Sequence, residues 1–279
     1  MISLSLTMLI LTCSFIAGFF GALLGLGGGI IIIPFLTLAL GIDIRYAIGA
    51  SIVSVIATSS GAAAAYIRDR ITNIRIGMFL ETATTTGAIA GAFLASLINP
   101  RYLYLIFSLV LGYSAVTLFR RRHVELPEDV VPHPLATKLQ LAGSYYDHVL
   151  QRQVYYTSAG VYGGYATMFA AGVLSGLLGI GNGVFKVMAM DMFMKLPMKV
   201  STATSNFMIG VTAAASAGIY FARGYIHPAV AAPVALGVVV GATVGTRLMV
   251  HLRNTTIRKV FLPVLFYVAL QMLLKGIRG

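Results

Sequence analysis

The chain has 279 residues, of which 58% are hydrophobic and 10% are charged, and its mean hydropathy is +0.89. Soluble domains carry about a quarter charged residues, so this chain lacks the polar surface of a water-soluble protein. We therefore expect a polytopic protein embedded in a lipid bilayer. The net charge of +12 is typical of basic cytoplasmic loops, and the chain shows no basic soluble domain that would bind nucleic acid.

The first stretch, residues 2–40, carries no charged side chain and is too long for one span, since about 20 residues cross the hydrocarbon core. The glycine run GLGGG at residues 25–29 divides it into a full helix and a shorter one. Apolar segments of spanning length follow at 46–67, 76–98 and 102–119. These segments define a first transmembrane repeat over residues 1–119.

Residues 120–155 form the one sizeable polar stretch, rich in charged residues and proline. Residues 136–150 within it are compatible with an amphipathic helix on the membrane surface. We favour the alternative, a solvated cytoplasmic linker between two halves of the protein.

The second half, residues 156–279, repeats the first, with apolar segments at 156–180, 184–194, 200–222, 229–250 and 257–274. GFFGALLGLGGGIIIIP, from Gly18, aligns with GVLSGLLGIGNGVFKVM, from Gly172, at an offset of 154. The same offset aligns Ser51 with Ser205 and continues over about a hundred residues without gaps. The sequence therefore predicts an internal duplication.

Loop charges predict the orientation of the repeats. If each glycine run turns the chain back as a full or re-entrant hairpin, fourteen of the 20 Lys and Arg residues fall on one side, five on the other, and Lys186 lies inside the membrane. If each run lies within one crossing helix, the split is eight against eleven. The positive-inside rule favours the hairpin, with the linker in the cytoplasm and both termini outside. We thus predict an all-α polytopic membrane protein of two inverted repeats, each with a glycine-broken first helix followed by three transmembrane helices.

The two glycine breaks are the first candidate binding site. Backbone without helical hydrogen bonds is tolerated at membrane depth only where protein or a water-filled cavity covers it. A short helix begins at each break, and its N-terminus favours an anion. Close helix packing is the alternative explanation for the glycines. The candidate substrate-binding residues here are Gly27, Gly28, Gly29, Gly181, Asn182 and Gly183, where Asn182 either donates to an oxyanion or ties its own loop together.

Three charged residues are further candidates. Lys186 lies inside an apolar half-helix, where an unpaired lysine costs about 2.5–3.5 kcal/mol. It either attracts the anion, extends to an interface, or pairs with Asp191 or Glu81. Glu81 and Asp191 are candidates for proton coupling, although an interfacial position for Glu81 is an equal alternative.

Small polar residues complete the candidate site. Ser51 and Ser205 stand at equivalent positions near the start of the helix after each break, and Asn206 follows Ser205. We expect all three to line the site. The histidines lack metal-ligand spacing and no paired acid, base and nucleophile is visible, so we expect no metal, no cofactor and no enzyme activity.

These motifs together resemble the sulfite exporter TauE/SafE family of membrane transporters. The resemblance rests on four segments: GALLGLGGGIIIIP from Gly21, GLLGIGNG from Gly176, GAS from Gly49, and STATSNFMIGVT from Ser201. It implies a cell-membrane permease that exports a sulfur oxyanion or an organosulfonate, such as sulfite or sulfoacetate. The chain departs from the glycine pattern at Asn182 and Lys186.

We expect a secondary transporter that moves a small anion by alternating access around the two facing breaks. An anion channel or uniporter, and a non-transporting accessory subunit, are the alternatives. A homo-oligomer is compatible with the sequence.

Overall fold

The computed structural model describes residues 4–24, 27–120, 130–147, 151–249 and 254–278. Helices dominate the first half. In chain order they are α1 (Leu4–Leu24), α2 (Gly29–Pro34), α3 (Ile44–Arg68), α4 (Ile74–Leu97) and α5 (Pro100–Arg120), and α2 continues directly into a π-helical turn at Phe35–Ala39.

The second half has the same order of elements. Its helices are α7 (Val161–Leu178), α8 (Gly183–Met188), α9 (Met198–Ala222), α10 (Pro228–Met249) and α11 (Asn254–Arg278), and α8 continues into a π-helical turn at Ala189–Phe193. At the offset of 154, the bounds of α2, its π-helical turn and α3 coincide with those of α8, its π-helical turn and α9. The repeat seen in the sequence therefore recurs in the secondary structure.

Five helices in the described part of the chain are long and apolar enough to cross a membrane. They lie at Ser5–Ala22, Ile44–Arg68, Val161–Leu178, Met198–Ala222 and Pro228–Gly245. The half-helix Gly29–Ala39 is apolar but too short to span. The predicted all-α polytopic membrane fold is confirmed.

The two halves pack through reciprocal helix pairs, α1 with α10 and α7 with α4. A side chain at Gly241 would collide with the carbonyl of Phe15, and one at Gly87 would collide with the carbonyl of Phe169. The two contacts are equivalent, because Phe15 and Phe169 are separated by the offset of 154, as are Gly87 and Gly241. Gly87 and Gly91, and their equivalents Gly241 and Gly245, form two GxxxG motifs that bring backbones together, as close helix packing in membranes requires.

Helices α5 and α11 are equivalent by the offset, and they pack against each other in opposite directions. The Ser108 hydroxyl donates to the carbonyl of Ala269 at 2.8 Å, and Arg101 near the start of α5 donates from Nε to the carbonyl of Gly276 at 2.9 Å. Equivalent helices that run antiparallel are what an inverted repeat requires. The inversion across a bilayer remains a prediction.

The second break reverses the chain. The amide of Asn182 donates to the carbonyl of Ala171, eleven residues earlier, at 3.5 Å. The N–H of Ala159, before α7, donates to the carbonyl of Met194, after the half-helix, at 3.0 Å. Ala171 lies ten residues into α7, so the half-helix begins beside a point about 15 Å from the start of α7. This distance is half the thickness of the roughly 30 Å hydrocarbon core.

The segment between the halves differs from the amphipathic helix considered for residues 136–150. Helix α6 (Pro134–Lys138) is short, and β1 (Gly143–Asp147) pairs antiparallel with β2 (Arg152–Tyr156). Residues 148–150 lie outside the described part of the chain. Residues 143–147 form a strand and not a helix because burial alternates with a period of two: Tyr145 is buried, Tyr146 is exposed and Asp147 is buried.

This hairpin packs onto the ends of the transmembrane helices, so its inner face is not solvated. Asp147 is buried and accepts two 2.8 Å hydrogen bonds from Lys199 in the first turn of α9. Asn73, the N-cap of α4, donates from its amide to the carbonyl of Leu141 at 3.3 Å and to the hydroxyl of Tyr156 at 3.0 Å. The hairpin therefore joins the starts of α4 and α9.

Candidate functional site

The two breaks lie against one another inside the bundle. A Cβ at Gly29 would lie 3.1 Å from both the carbonyl oxygen of Gly179 and the Cα of Ile180, and one at Gly27 would lie 3.5 Å from the carbonyl oxygen of Ile180. The described residues of both breaks are buried. The structure therefore brings the first break, at Gly27–Gly29, directly to the second, at Gly179–Gly183.

Left-handed backbone precedes each half-helix. Gly27 and its counterpart Gly181 have φ of +74° and +70°, and Asn182 has φ of +50°. Glycine adopts this conformation freely, and asparagine tolerates it better than most residues. These tight turns lead directly into the half-helices that start at Gly29 and Gly183.

The half-helix N-termini supply hydrogen-bond donors at the breaks. The N–H groups of Ile31 and Ile32 donate back to Gly28, each at 3.2 Å, and those of Phe185 and Lys186 donate to Asn182 at 3.1 and 3.3 Å. Helix geometry leaves the N–H groups of the preceding residues without an intrahelical acceptor. Each half therefore supplies one set of such donors at its break, and both sets carry partial positive charge.

The predicted serines contact the breaks, but their hydroxyl protons are committed to the protein. Ser51 donates to the carbonyl of Gly179 at 2.7 Å, and Ser205 donates to that of Gly183 at 3.4 Å. Both serines are fully buried. In this conformation they brace the second break.

The predicted asparagines also bond to nearby backbone. The amide of Asn182 ties its hairpin to Ala171 in α7, which is the second of the two roles considered for it. The side-chain amide of Asn206 donates to the backbone carbonyl of Thr202 at 3.1 Å. The backbone carbonyl of Asn206 accepts a hydrogen bond from the hydroxyl of Ser59. These bonds join α3 and α9 beside the breaks.

Lys186 and Glu81 are joined through a threonine. The Lys186 ammonium, fully buried, donates to the Thr212 hydroxyl, which donates to Oε1 of Glu81 at 2.6 Å. Thr85 donates to the same oxygen at 3.0 Å. Oε2 of Glu81 is buried and has no hydrogen-bond partner among the described residues. We call Lys186, Thr212 and Glu81 the charged chain.

The charged chain has no equivalent at the first break. At the offset of 154, the equivalents of Lys186, Thr212 and Glu81 are Ile32, Thr58 and Ala235. Glu81 is buried within the bundle, and its depth in the membrane remains a prediction.

The structure does not place Asp191 in this chain, because that residue lies partly exposed in the π-helical turn.

Two residues of the site were missed from the sequence. Thr212 was recognised as a repeat match of Thr58, but its position between two charges depends on α4, which is distant in sequence. Ser54 points at Gly28, with 3.0 Å between its Oγ and the position of a Cβ there. Its counterpart is Met208, so matching of the repeats gave no signal for it.

The site therefore combines the half-helix N-termini with one buried ammonium and one buried carboxylate. The described residues contain no group of three or more His, Cys, Asp or Glu side chains that could hold a metal ion. Two facing broken helices inside an apolar bundle are a recurring plan of secondary transporters. The class that the fold and this geometry define is the polytopic membrane transporter.

Comparisons with known proteins identify the family. The model of the family described as sulfite exporter TauE/SafE matches residues 10–272, and the chain belongs to this family. A Bacillus subtilis (strain 168) protein named probable membrane transporter protein YunE is 27% identical over 269 residues, covering 94% of this chain and 95% of the relative. Probable membrane transporter protein YdhB, from the same strain, is 28% identical over 241 residues, covering 86% and 89%. No solved structure matches the chain.

Proposed function

We propose that the protein is a secondary transporter that exports a small sulfur oxyanion or an organosulfonate, such as sulfite or sulfoacetate, across the cell membrane. The observation that carries this proposal is the contact between the two breaks, where Gly29, the first residue of α2, lies against Gly179 and Ile180, just before α8 starts at Gly183. The N–H groups and partial positive charge of half-helix N-termini favour an anion with several acceptor oxygens. The substrate class and the direction rest on the name of the family.

The described conformation is closed around the breaks, as an occluded state of alternating access would be. We propose that the anion binds when the halves separate at the breaks, in contact with Gly27, Gly28, Gly181 and Gly183. Ser51, Ser205, Asn182 and Asn206 hold the surrounding backbone and line the opened site.

The charged chain gives the second break a distinct role in this proposal. Lys186 attracts the anion electrostatically, since its ammonium lies one turn inside the half-helix that starts at Gly183. Glu81, with one buried oxygen that has no hydrogen-bond partner among the described residues, is the better candidate for a coupled proton. Asp191 remains a second candidate for proton coupling, nearer to the surface.

A bulkier residue at the contact should stop transport. A methyl group at Gly29 would collide with the Ser51 hydroxyl and crowd Gly179, so we expect Gly29→Ala to reduce counterflow of labelled sulfite into proteoliposomes at least about ten-fold. Gly218→Ala is the matched control, because no described atom lies within 4 Å of a Cβ there. Wild-type protein that moves neither sulfite nor simple sulfonates would contradict the proposal and favour an accessory subunit. Flux without counterflow would favour a channel.

We also propose that the linker lies in the cytoplasm and both termini outside, in agreement with the loop charges. The test uses Gln153, which is exposed on β2. In a Cys13→Ser background, Gln153→Cys should react with a membrane-impermeant maleimide in inside-out vesicles and stay unlabelled in intact cells. The reverse labelling would overturn the orientation. Cross-linking in the same membranes would test for a homo-oligomer.

A further inference from the structure

We infer that the Ser54 hydroxyl binds an oxygen of the transported anion at the first break. The inference rests on the proposed function and adds a residue of the first half to the site. Ser54 is fully buried, and within the described residues its Oγ has no hydrogen-bond partner. A buried hydroxyl without a partner is costly, and a ligand oxygen that accepts its hydrogen bond would remove that cost.

Neighbouring hydroxyls on α3 show that this isolation is specific. Thr58 and Ser60 bond back to the carbonyls of Ser54 and Ile56, each at 2.8 Å, which is the common behaviour of hydroxyls in membrane helices. Ser51 donates across to the second break. Ser54 alone of these four leaves its donor unused within the described structure.

The direction of Ser54 identifies what it faces. Its Oγ lies 3.0 Å from the Cβ that an alanine at position 28 would carry, so the absence of a side chain at Gly28 leaves the hydroxyl open to the break. Gly28 is the N-cap of α2, and the half-helix Gly29–Ala39 starts beside it. The hydroxyl thus lies beside the start of this helix, where unpaired N–H groups favour an oxyanion.

The same geometry places the anion asymmetrically. Met208 stands at the equivalent position in the second half and has no donor for an oxyanion. Lys186 lies in the second half-helix and contributes charge from the other side. The first break therefore contributes the directional hydrogen bond, and the second contributes the electrostatic attraction.

The test compares Ser54→Ala, Ser54→Thr and the control Ser60→Ala, which removes an exposed hydroxyl from the same helix. Sulfite is the probe, measured by counterflow in proteoliposomes and by the rise in Tm of purified protein. We expect Ser54→Ala to raise KM about five-fold or more and to reduce the rise in Tm. Ser54→Thr keeps the hydroxyl and should bind sulfite more tightly than Ser54→Ala.

A double mutant tests the proximity to Gly28. A methyl group in Gly28→Ala occupies the space that the Ser54 hydroxyl faces, so the effects of Gly28→Ala and Ser54→Ala on KM should be strongly non-additive. Independent effects, or an unchanged KM and Tm response in Ser54→Ala while wild type binds sulfite, would overturn the inference and leave the proposed function intact. Wild-type protein that neither binds nor moves sulfite or simple sulfonates would contradict both.

Discussion

Lys186→Met is expected to destabilise the protein by about 3–5 kcal/mol, because it leaves the Glu81 carboxylate in the bundle without a compensating charge. Glu81→Gln should destabilise the protein for the converse reason, since the Lys186 ammonium is fully buried. The double variant, which removes both charges, should recover most of the stability. The measurement is thermal or denaturant unfolding of the purified protein in detergent.

Lys138→Met provides the control for this series. Lys138 is exposed in the last turn of α6, so loss of its charge should change the free energy of unfolding by less than about 0.5 kcal/mol. If the double variant were as unstable as the sum of the single variants, the charges would not be coupled through Thr212. The same variants in counterflow would then separate stability from transport, because a stable double variant that loses sulfite uptake assigns the charges to the site.

The second prediction concerns the contact between α4 and α7. Gly91→Ala should destabilise the protein by about 1–3 kcal/mol, because the methyl group would collide with the carbonyl of Val173 and separate the two helices. Gly112→Ala, in α5, is the control, since no described atom lies within 4 Å of a Cβ there. That substitution should be neutral or stabilise the helix by about 0.5–1 kcal/mol. Equal effects at both positions would contradict the role assigned to the GxxxG motif.

The sequence predicted the helical architecture because the internal repeat and the hydropathy pattern are both visible in the order of the residues. The constant offset of 154 located the breaks, and the distribution of Lys and Arg favoured a reversal of the chain at each of them. Asn182 and Ala171 now show this reversal directly in the second copy. The membrane-transporter class and the TauE/SafE resemblance are confirmed by the family match.

What the sequence could not predict depends on contacts between distant segments. The β-hairpin in the linker was missed because strand alternation around Tyr145 is only five residues long on each side of the turn. Ser54 was missed because its proposed role depends on a hydroxyl that has no partner among the described residues, which only packing reveals. The role of Thr212 depends on its hydrogen bond to Glu81, which lies 131 residues away in sequence.

The single occurrence of the charged chain has a consequence for the resting state. In a duplicated transporter with identical halves, exchange of their conformations would give two states of equal free energy that face opposite sides. Lys186 and Glu81 join the second half-helix to α4 of the first half, and their equivalents Ile32 and Ala235 cannot form the corresponding interactions. We therefore expect an unequal resting population, in which the protein waits for its anion mostly on one side of the membrane.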